Sequence, residues 1–280
     1  MTARQPTSPR IRNTAPTAPL SWLARGARDL WAAGPISLAH GLFVAWVAAI
    51  SLWFLHAHFW LLAGVFSAFM VVAPVLATGL YALSRAVERG EPADWTLLRS
   101  TWTRWGSKRR SDPGSYWCLV RFGGLLSLAA AGWIMTSAAF VTAFAPAPVR
   151  EPADFIRSVM LSADSWVFEV WLTLGGLLAA PVFASTVVTI PLLLDRHIRL
   201  KQAVLTSWLV VLANPITMAV WASLLLVLVL VGFAAAVIGL IVIVPLLGHA
   251  SWHAYRDLVD VDALPERLSP TDPGRAVGGA

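Results

Sequence analysis

Two histidines one helical turn apart, His249 and His253, give the sharpest chemical signal in the sequence. Side chains at i and i+4 share a helix face, so the pair could ligate a metal ion or a haem iron. A haem–copper centre needs several further imidazoles inside the bilayer, and the other four of the six histidines do not supply them. His40 sits near one end of an apolar run, His56 and His58 in a short link, and His197 in a basic stretch. With Trp252 and Tyr255, the pair reads as a cap or anchor of the last helix at the membrane interface. No catalytic residue, cofactor or metal is assigned; His249 and His253 are only weak metal candidates.

The remaining reactive side chains point the same way. Asp195-Arg196-His197 gathers three functional types, but adjacent residues do not face one another on a helix or strand, so a solvated loop is expected. The single cysteine, Cys118, makes neither a disulfide nor a Cys-x-x-Cys site and reads as packing. Arg121 and Glu169 lie near the ends of apolar runs, where side chains can snorkel to water, and should sit on opposite sides of the membrane. The central parts of the apolar runs carry no ionisable group, which counts against a proton-coupled pump. There is no phosphate-binding glycine loop, no Gly-x-Ser-x-Gly elbow and no recurring carboxylate pair in a span.

The elements that must position these residues follow from composition. In 280 residues, hydrophobic types make up 58% and charged types 13%, against roughly 45–50% and about 25% in soluble domains. That much apolar surface calls for a membrane. The +6 net charge is explained by basic loops facing the cytoplasm rather than by nucleic acid, and none is expected as a partner.

A bilayer core about 30 Å thick needs about 20 helical residues. Ile36–Ala57, Phe59–Ser84, Trp117–Ala145 and Trp166–Leu194 each suffice. Ile216–Leu247 runs for 32 residues without an ionisable side chain. Extended through Tyr255, it is expected to form two short spans turning near Gly232–Gly239; one long tilted helix is the rival. The expected fold is an all-α, polytopic transmembrane helical bundle of six spans, with five as the alternative. Residues 1–19 read as a disordered cytoplasmic tail, 20–259 as one transmembrane domain, and 260–280 as a second disordered tail. Arginines before the first span, after the second and after the fourth place the N-terminus in the cytoplasm and Pro146–Ser165 outside. The absence of an early apolar core argues against a cleaved signal.

A pattern recurs three times. Trp22–Ala33 ends in Gly34-Pro35, Ala93–Lys108 precedes Asp112-Pro113-Gly114, and Arg199–Ala213 ends in Asn214-Pro215; a residue before proline is disfavoured in a helix. Each break opens a pair of spans, and the second of each pair carries Pro74-Val75-Leu76, Pro191-Leu192-Leu193 or Pro245-Leu246-Leu247. Three tandem units follow, of about 20–91, 92–198 and 199–259, each an interfacial amphipathic helix and a helical hairpin. In the clearest such helix, Trp95, Leu98, Trp102 and Trp105 form one stripe, with Arg99, Arg104 and Lys108 set to meet lipid phosphates. Small residues four apart, Gly175/Ala179 and Gly176/Ala180, permit close helix packing within the bundle or a homo-oligomer.

These motifs resemble a family of bacterial integral membrane proteins, domain of unknown function 2189. The similar stretches include Pro74-Val75-Leu76-Ala77-Thr78-Gly79-Leu80-Tyr81, Ser84-Arg85, Glu88-Arg89-Gly90-Glu91, Pro191-Leu192-Leu193-Leu194-Asp195-Arg196, Ala213-Asn214-Pro215 and Pro245 to Leu258, over roughly Pro19 to Val259. The resemblance implies a prokaryotic inner membrane and no established activity. Some relatives are labelled cytochrome c oxidase subunits, which the histidine inventory here does not support. The expected role is a scaffold, accessory or lipid-interacting factor, with membrane lipid and a complex partner or second copy as partners. The alternative is a carrier for a neutral or amphipathic small molecule, since Pro74, Pro181, Pro191 and Pro245 can open backbone carbonyls to a cavity. A haem- or metal-binding respiratory accessory using His249 and His253 is the third.

Overall fold

The computed structural model describes residues 9–103, 117–162 and 166–267. The chain is an all-α polytopic bundle, with one small sheet tying its two ends together. It opens with β1 (Arg10–Ile11) and α1 (Ala18–Ala33). Gly34 turns the chain with a φ of 63°, a value glycine adopts freely, and Pro35 begins α2 (Pro35–Leu55). α3 (Phe59–Leu76) returns and passes through a break at Ala77 into α4 (Thr78–Arg89). α4 ends on Gly90 in the left-handed conformation, the usual helix stop.

The second unit repeats that order. α5 (Trp95–Thr103) precedes α6 (Trp117–Phe144). A short helix, α7 (Pro152–Phe155), and a π-helical turn (Ile156–Met160) cross the far end. α8 (Val167–Thr186) comes back and breaks into α9 (Thr189–Asp195). In the third unit, α10 (Leu200–Ala213) leads to α11 (Pro215–Ala234), a turn, α12 (Leu240–Leu258) and β2 (Val259–Asp260).

Among the described residues, five stretches are long and apolar enough to cross a membrane: Pro35–Leu55, Phe59–Arg89, Cys118–Phe144, Val167–Asp195 and Pro215–Ala234. Their outer faces carry exposed apolar side chains, among them Phe43, Trp46, Trp53, Leu128, Met135, Leu177 and Val227, as hydrocarbon contact requires. The long apolar run is not one helix. It breaks at Ala235–Gly239, where Ala236 and Val237 take positive φ. α11 starts where Asn214 holds Thr14, and α12 ends where β2 pairs antiparallel with β1. The third pair therefore leaves and re-enters the face that holds the N-terminal segment, as a hairpin.

Both supposed tails are partly built into the fold. Arg10 and Ile11 pair with Asp260 and Val259, the Arg12 amide donates to the Leu258 carbonyl at 2.9 Å, and the Asn214 side chain accepts from the Thr14 amide at 2.8 Å. Residues 9–17 are thus a docked segment rather than a free tail, held through β1, Arg12 and Thr14. Past the sheet, Leu264 is buried and Glu266 bridges Arg196. Residues 1–8 and 268–280 lie outside the described residues.

The main core lies where the ends of α4, α9 and α12 meet α1 and α10. It holds Trp22, Tyr81, Leu192, Leu193, Trp252 and Tyr255. Trp22 packs edge-on against Trp221, 5.5 Å between centroids. The amphipathic segment before α2 therefore does more than float: its Trp22 face is fully buried in protein while Trp31, 82% exposed, points out. Gly26 lets α1 cross α12 closely, for a Cβ there would stand 2.7 Å from the Ala250 nitrogen. At the far end, Val141, Val149, Val159 and Val167 form a smaller core under Phe59, Phe155 and Trp171.

Candidate functional site

The polar groups gather at the ends of the second helices of the three units. α4 supplies Ser84, Arg85, Glu88 and Arg89, one face repeated at helical spacing. α12 supplies His249, Trp252, His253 and Arg256 at the matching spacing on the facing helix. α9 ends in Asp195, and α1 adds Asp29.

One chain of hydrogen bonds runs from α12 through α1 and α4 to α2. His253 Nε2 lies 2.9 Å from Asp29 Oδ2. The Ser84 hydroxyl donates to the same oxygen at 2.6 Å. Having spent its proton there, Ser84 Oγ accepts from His249 Nδ1–H at 2.7 Å. His249 Nε2 is then the acceptor for the Ser37 hydroxyl at 2.8 Å. This assignment uses every donor once. Burial alone would raise the Asp29 carboxyl; the hydrogen bonds from His253 and Ser84 and the charge on His253 outweigh it and hold the group below the ordinary 3.8.

A second cluster surrounds Asp195, which is 1% exposed. Its Oδ1 accepts from Arg85 Nε at 2.9 Å and Arg89 at 3.3 Å. Its Oδ2 accepts from Tyr255 Oη at 2.8 Å and Arg196 Nε at 3.0 Å. Nearby, Glu88 accepts from the Trp252 indole at 2.7 Å and from Arg256 at 2.9 Å. Asp257 accepts from the Trp22 indole at 2.8 Å and pairs with Arg25.

The first chain contains a carboxylate, a serine and an imidazole, but in an order that does not make a hydrolase. In a nucleophilic triad the acid orients the imidazole, which takes the serine proton. Here the acid holds the serine. Ser37, Ser84 and His249 are all 0% exposed, so no carbonyl carbon can reach either hydroxyl. Among the described residues no group of three or more His, Cys, Asp or Glu is arranged to hold a metal ion. Both ring nitrogens of His249 are already engaged, and His253 turns to Asp29.

Several expectations change. His249, Trp252 and Tyr255 do not cap a helix at the lipid interface; they lie inside the protein, exposed by 1% or less. Asp195 is no solvated loop residue, because four arginine side chains and a tyrosine hydroxyl converge on it. The central parts of the apolar runs were expected to carry no ionisable group, and the buried ones lie outside them. Asp29, Arg85 and Asp195 are buried at the helix ends, and each has at least one partner from another unit.

The predicted lipid contacts fall in three groups. Trp95, Arg99 and Trp102 are exposed on α5, while Leu97 and Thr101 are the buried face against α4. The stripe thus turns about one residue from the expected one, because Leu97 seats among Ala33, Leu80 and Leu83. Trp102 also lies over Gly79 beside His40: a Cβ on Gly79 would be 3.3 Å from the Trp102 indole nitrogen and 2.6 Å from His40 Nε2. Arg104, Trp105 and Lys108 lie outside the described residues. Gly175 packs on Trp133 of α6, whereas Gly176 faces open space.

Comparison with known proteins adds one finding. Residues 61–195 match the model of the family described as predicted integral membrane protein (DUF2189). The similarity to that family covers just under half of the chain. It runs from α3 to the last residue of α9, so it includes Ser84, Arg85, Glu88, Arg89 and Asp195, and leaves Asp29, His249, His253 and Tyr255 in the flanks. The resemblance read from residues outside 61–195 lies beyond the matched stretch. No curated protein and no solved structure matches the chain.

Proposed function

We propose that this integral membrane protein is a non-catalytic scaffold or accessory factor, in contact with lipid, of the bacterial cytoplasmic (inner) membrane, with its N-terminus in the cytoplasm. The observation that carries the reading is that its chemistry-bearing side chains are buried and bound to one another. Asp29, Ser84 and His249 join α1, α4 and α12, and Asp195 gathers groups from α4, α9 and α12. Such satisfied buried networks fix one arrangement of helices. Hydroxyls in the apolar spans are spent on their own helices: Ser51, Ser127, Thr136 and Thr173 each donate to the carbonyl four residues back. This argues against a polar path for a carried solute. The orientation rests on the arginines that precede α2 and follow α4 and α9.

Native mass spectrometry of the protein released gently from its own membrane tests the role. The expected spectrum shows the chain with lipid or a partner chain. Haem or stoichiometric metal would overturn the reading. A reporter fused after Val259 tests the topology, with cytoplasmic activity expected.

A further inference from the structure

The turn between α11 and α12 differs in kind from the two other links at the end of the bundle away from the N-terminal segment. Those two meet where Phe59 packs on Phe155 and its amide donates to the Arg150 carbonyl. One carries the exposed histidines His56 and His58, and the other Arg150, Glu151, Asp154 and Arg157. Residues 232–240 include no polar side chain at all. Ala234, Ala235, Ala236 and Ile238 are nonetheless exposed, Ile238 by 68%. A turn whose exposed surface is wholly apolar suits hydrocarbon rather than water.

Packing sets the turn below the far ends of its neighbours. Phe233 meets Phe66 with 5.3 Å between centroids, and Phe66 lies about 10 Å along α3 from its first residue, Phe59. Val237 and Leu240 share a core with Ala45, and Ala48 and Leu52 pack against it. α2 continues about 5–15 Å past these residues to Leu55. Helix lengths agree. α11 has residues enough to cross a membrane, but its start is spent in the polar end, where Thr217 donates to the Thr14 carbonyl at 3.1 Å and Trp221 packs on Trp22. From Trp221 to Ala234 the helix rises about 20 Å. From Leu240 to His249, which binds Ser37 and Ser84, α12 rises about 14 Å. Both fall short of a hydrocarbon core of about 30 Å. Backbone at that depth must find its partners within the protein. Through the reversal, the amides of Ala235, Val237, Ile238 and Leu240 donate to the carbonyls of Val231, Phe233, Ala235 and Val237. Gly239 allows the tight closure, for a Cβ there would stand 2.9 Å from Gly232 Cα.

We propose that α11 and α12 form a re-entrant hairpin, and that the exposed surface of its turn, residues 234–238, binds the acyl chains of the leaflet opposite the N-terminal segment. The hairpin enters and leaves by one face, and lipid rather than water lies over its apex. The remaining four apolar stretches make the full crossings. The proposal needs the bundle to be embedded in a membrane; it needs neither the scaffold role nor the orientation given under Proposed function.

Spin labels on the full-length chain test it. With Cys118→Ala as background, single cysteines are introduced as Ala57→Cys in the α2–α3 link, Leu128→Cys in the middle of α6, and Ala235→Cys or Ile238→Cys in the turn. All four positions are exposed, so a label has room at each, and two turn positions keep the test decisive if one label disturbs the hairpin. Each protein is labelled with a nitroxide in detergent and returned to vesicles of phosphatidylethanolamine and phosphatidylglycerol. Depth is read from collisions with oxygen, which gathers in hydrocarbon, against a neutral nickel chelate, which stays in water. The turn labels should read about 5–15 Å deeper than the Ala57 label, the distance by which α2 outreaches the turn. Turn labels level with the Ala57 label, beside a deep Leu128 label, would overturn the re-entrant hairpin and leave the membrane embedding intact. A Leu128 label in water would remove the embedding itself, and the proposal with it.

Discussion

Replacing Asp195 by alanine should cost the protein about 3–5 kcal/mol, the range for removing one partner of a buried ion pair. The structure says which interactions set that figure. Arg89 and Arg196, with side chains 25% and 13% exposed, can turn part of their hydrogen bonding to water, but Arg85 at 8% cannot. The Tyr255 hydroxyl, 0% exposed, loses its acceptor as well, which alone is worth about 1–3 kcal/mol. Glu266 reaches Arg85 at only 3.7 Å and compensates weakly. The assay is reversible unfolding of the full chain in mixed micelles of mild and denaturing detergent, followed by tryptophan fluorescence. Asp195→Leu with Arg85→Met should recover most of the loss, because an apolar pair of similar volume needs no counter-charge. A loss below about 1 kcal/mol, the value of a surface pair, would refute the claim that Asp195 is buried among those arginines. So would a double variant no better than the single one.

Three further outcomes follow from particular contacts. Asp29 has its carboxyl below the ordinary value of 3.8, so its contribution is full above that value and is lost as pH falls through the lower folded value. Thermal stability of the unmodified protein should drop more steeply below about pH 4 than that of Asp29→Asn; parallel acid limbs would contradict the linkage. Gly41→Ala should destabilise by up to about 2 kcal/mol, a steric cost of about 1–3 less a helix-propensity gain of about 1. Its Cβ would overlap the Ile241 carbonyl oxygen and stand 2.8 Å from Ile241 Cα, whereas Gly124 has open space and Gly124→Ala should not destabilise in the same detergent titration. Ala236→Gly should stabilise by about 0.5–1 kcal/mol, since Ala236 is exposed and has a φ of 53°; a lower midpoint would show that the turn does not hold that conformation.

The architecture was legible because it is written in local signals. Proline after Gly34 and Asn214 marks two of the unit starts, and the glycines near 232–239 mark the last hairpin turn. Apolar runs of the right length do the rest. The polar layer was not legible, because it is made of distant pairs. Ser84 meets Asp29 across 55 residues and His249 across 165, and Tyr255 meets Asp195 across 60. Read alone, Asp195-Arg196-His197 looks solvated, and His249 with His253 looks like a ligand pair or an interfacial cap. One usable signal was present: Ser84, Arg85, Glu88 and Arg89 share a face with no apolar reason for their spacing. The tryptophan stripe failed more narrowly, since propensity and pattern found α5 but not which side Leu97 would seat.

A close helix crossing joins the first helix of the protein to the last. α1 lies on α12, and the Trp22 indole finds its acceptor, Asp257, 235 residues later. A ribosome adding about 5–20 residues each second takes from about ten seconds to most of a minute to supply that partner. Throughout that interval the Trp22 and Asp29 face of α1 has only its partners on α4 and α11, Ser84 and Trp221, and lacks those on α12. Biogenesis is therefore gated by its final step: the arrival of α12 withdraws α1 from the lipid surface, seals both polar clusters and seats β1 on β2. A chain that stops just before α12 carries all five of the apolar stretches, yet leaves Asp29, Ser84 and Asp195 without His253, His249 and Tyr255, a ready mark for membrane proteases.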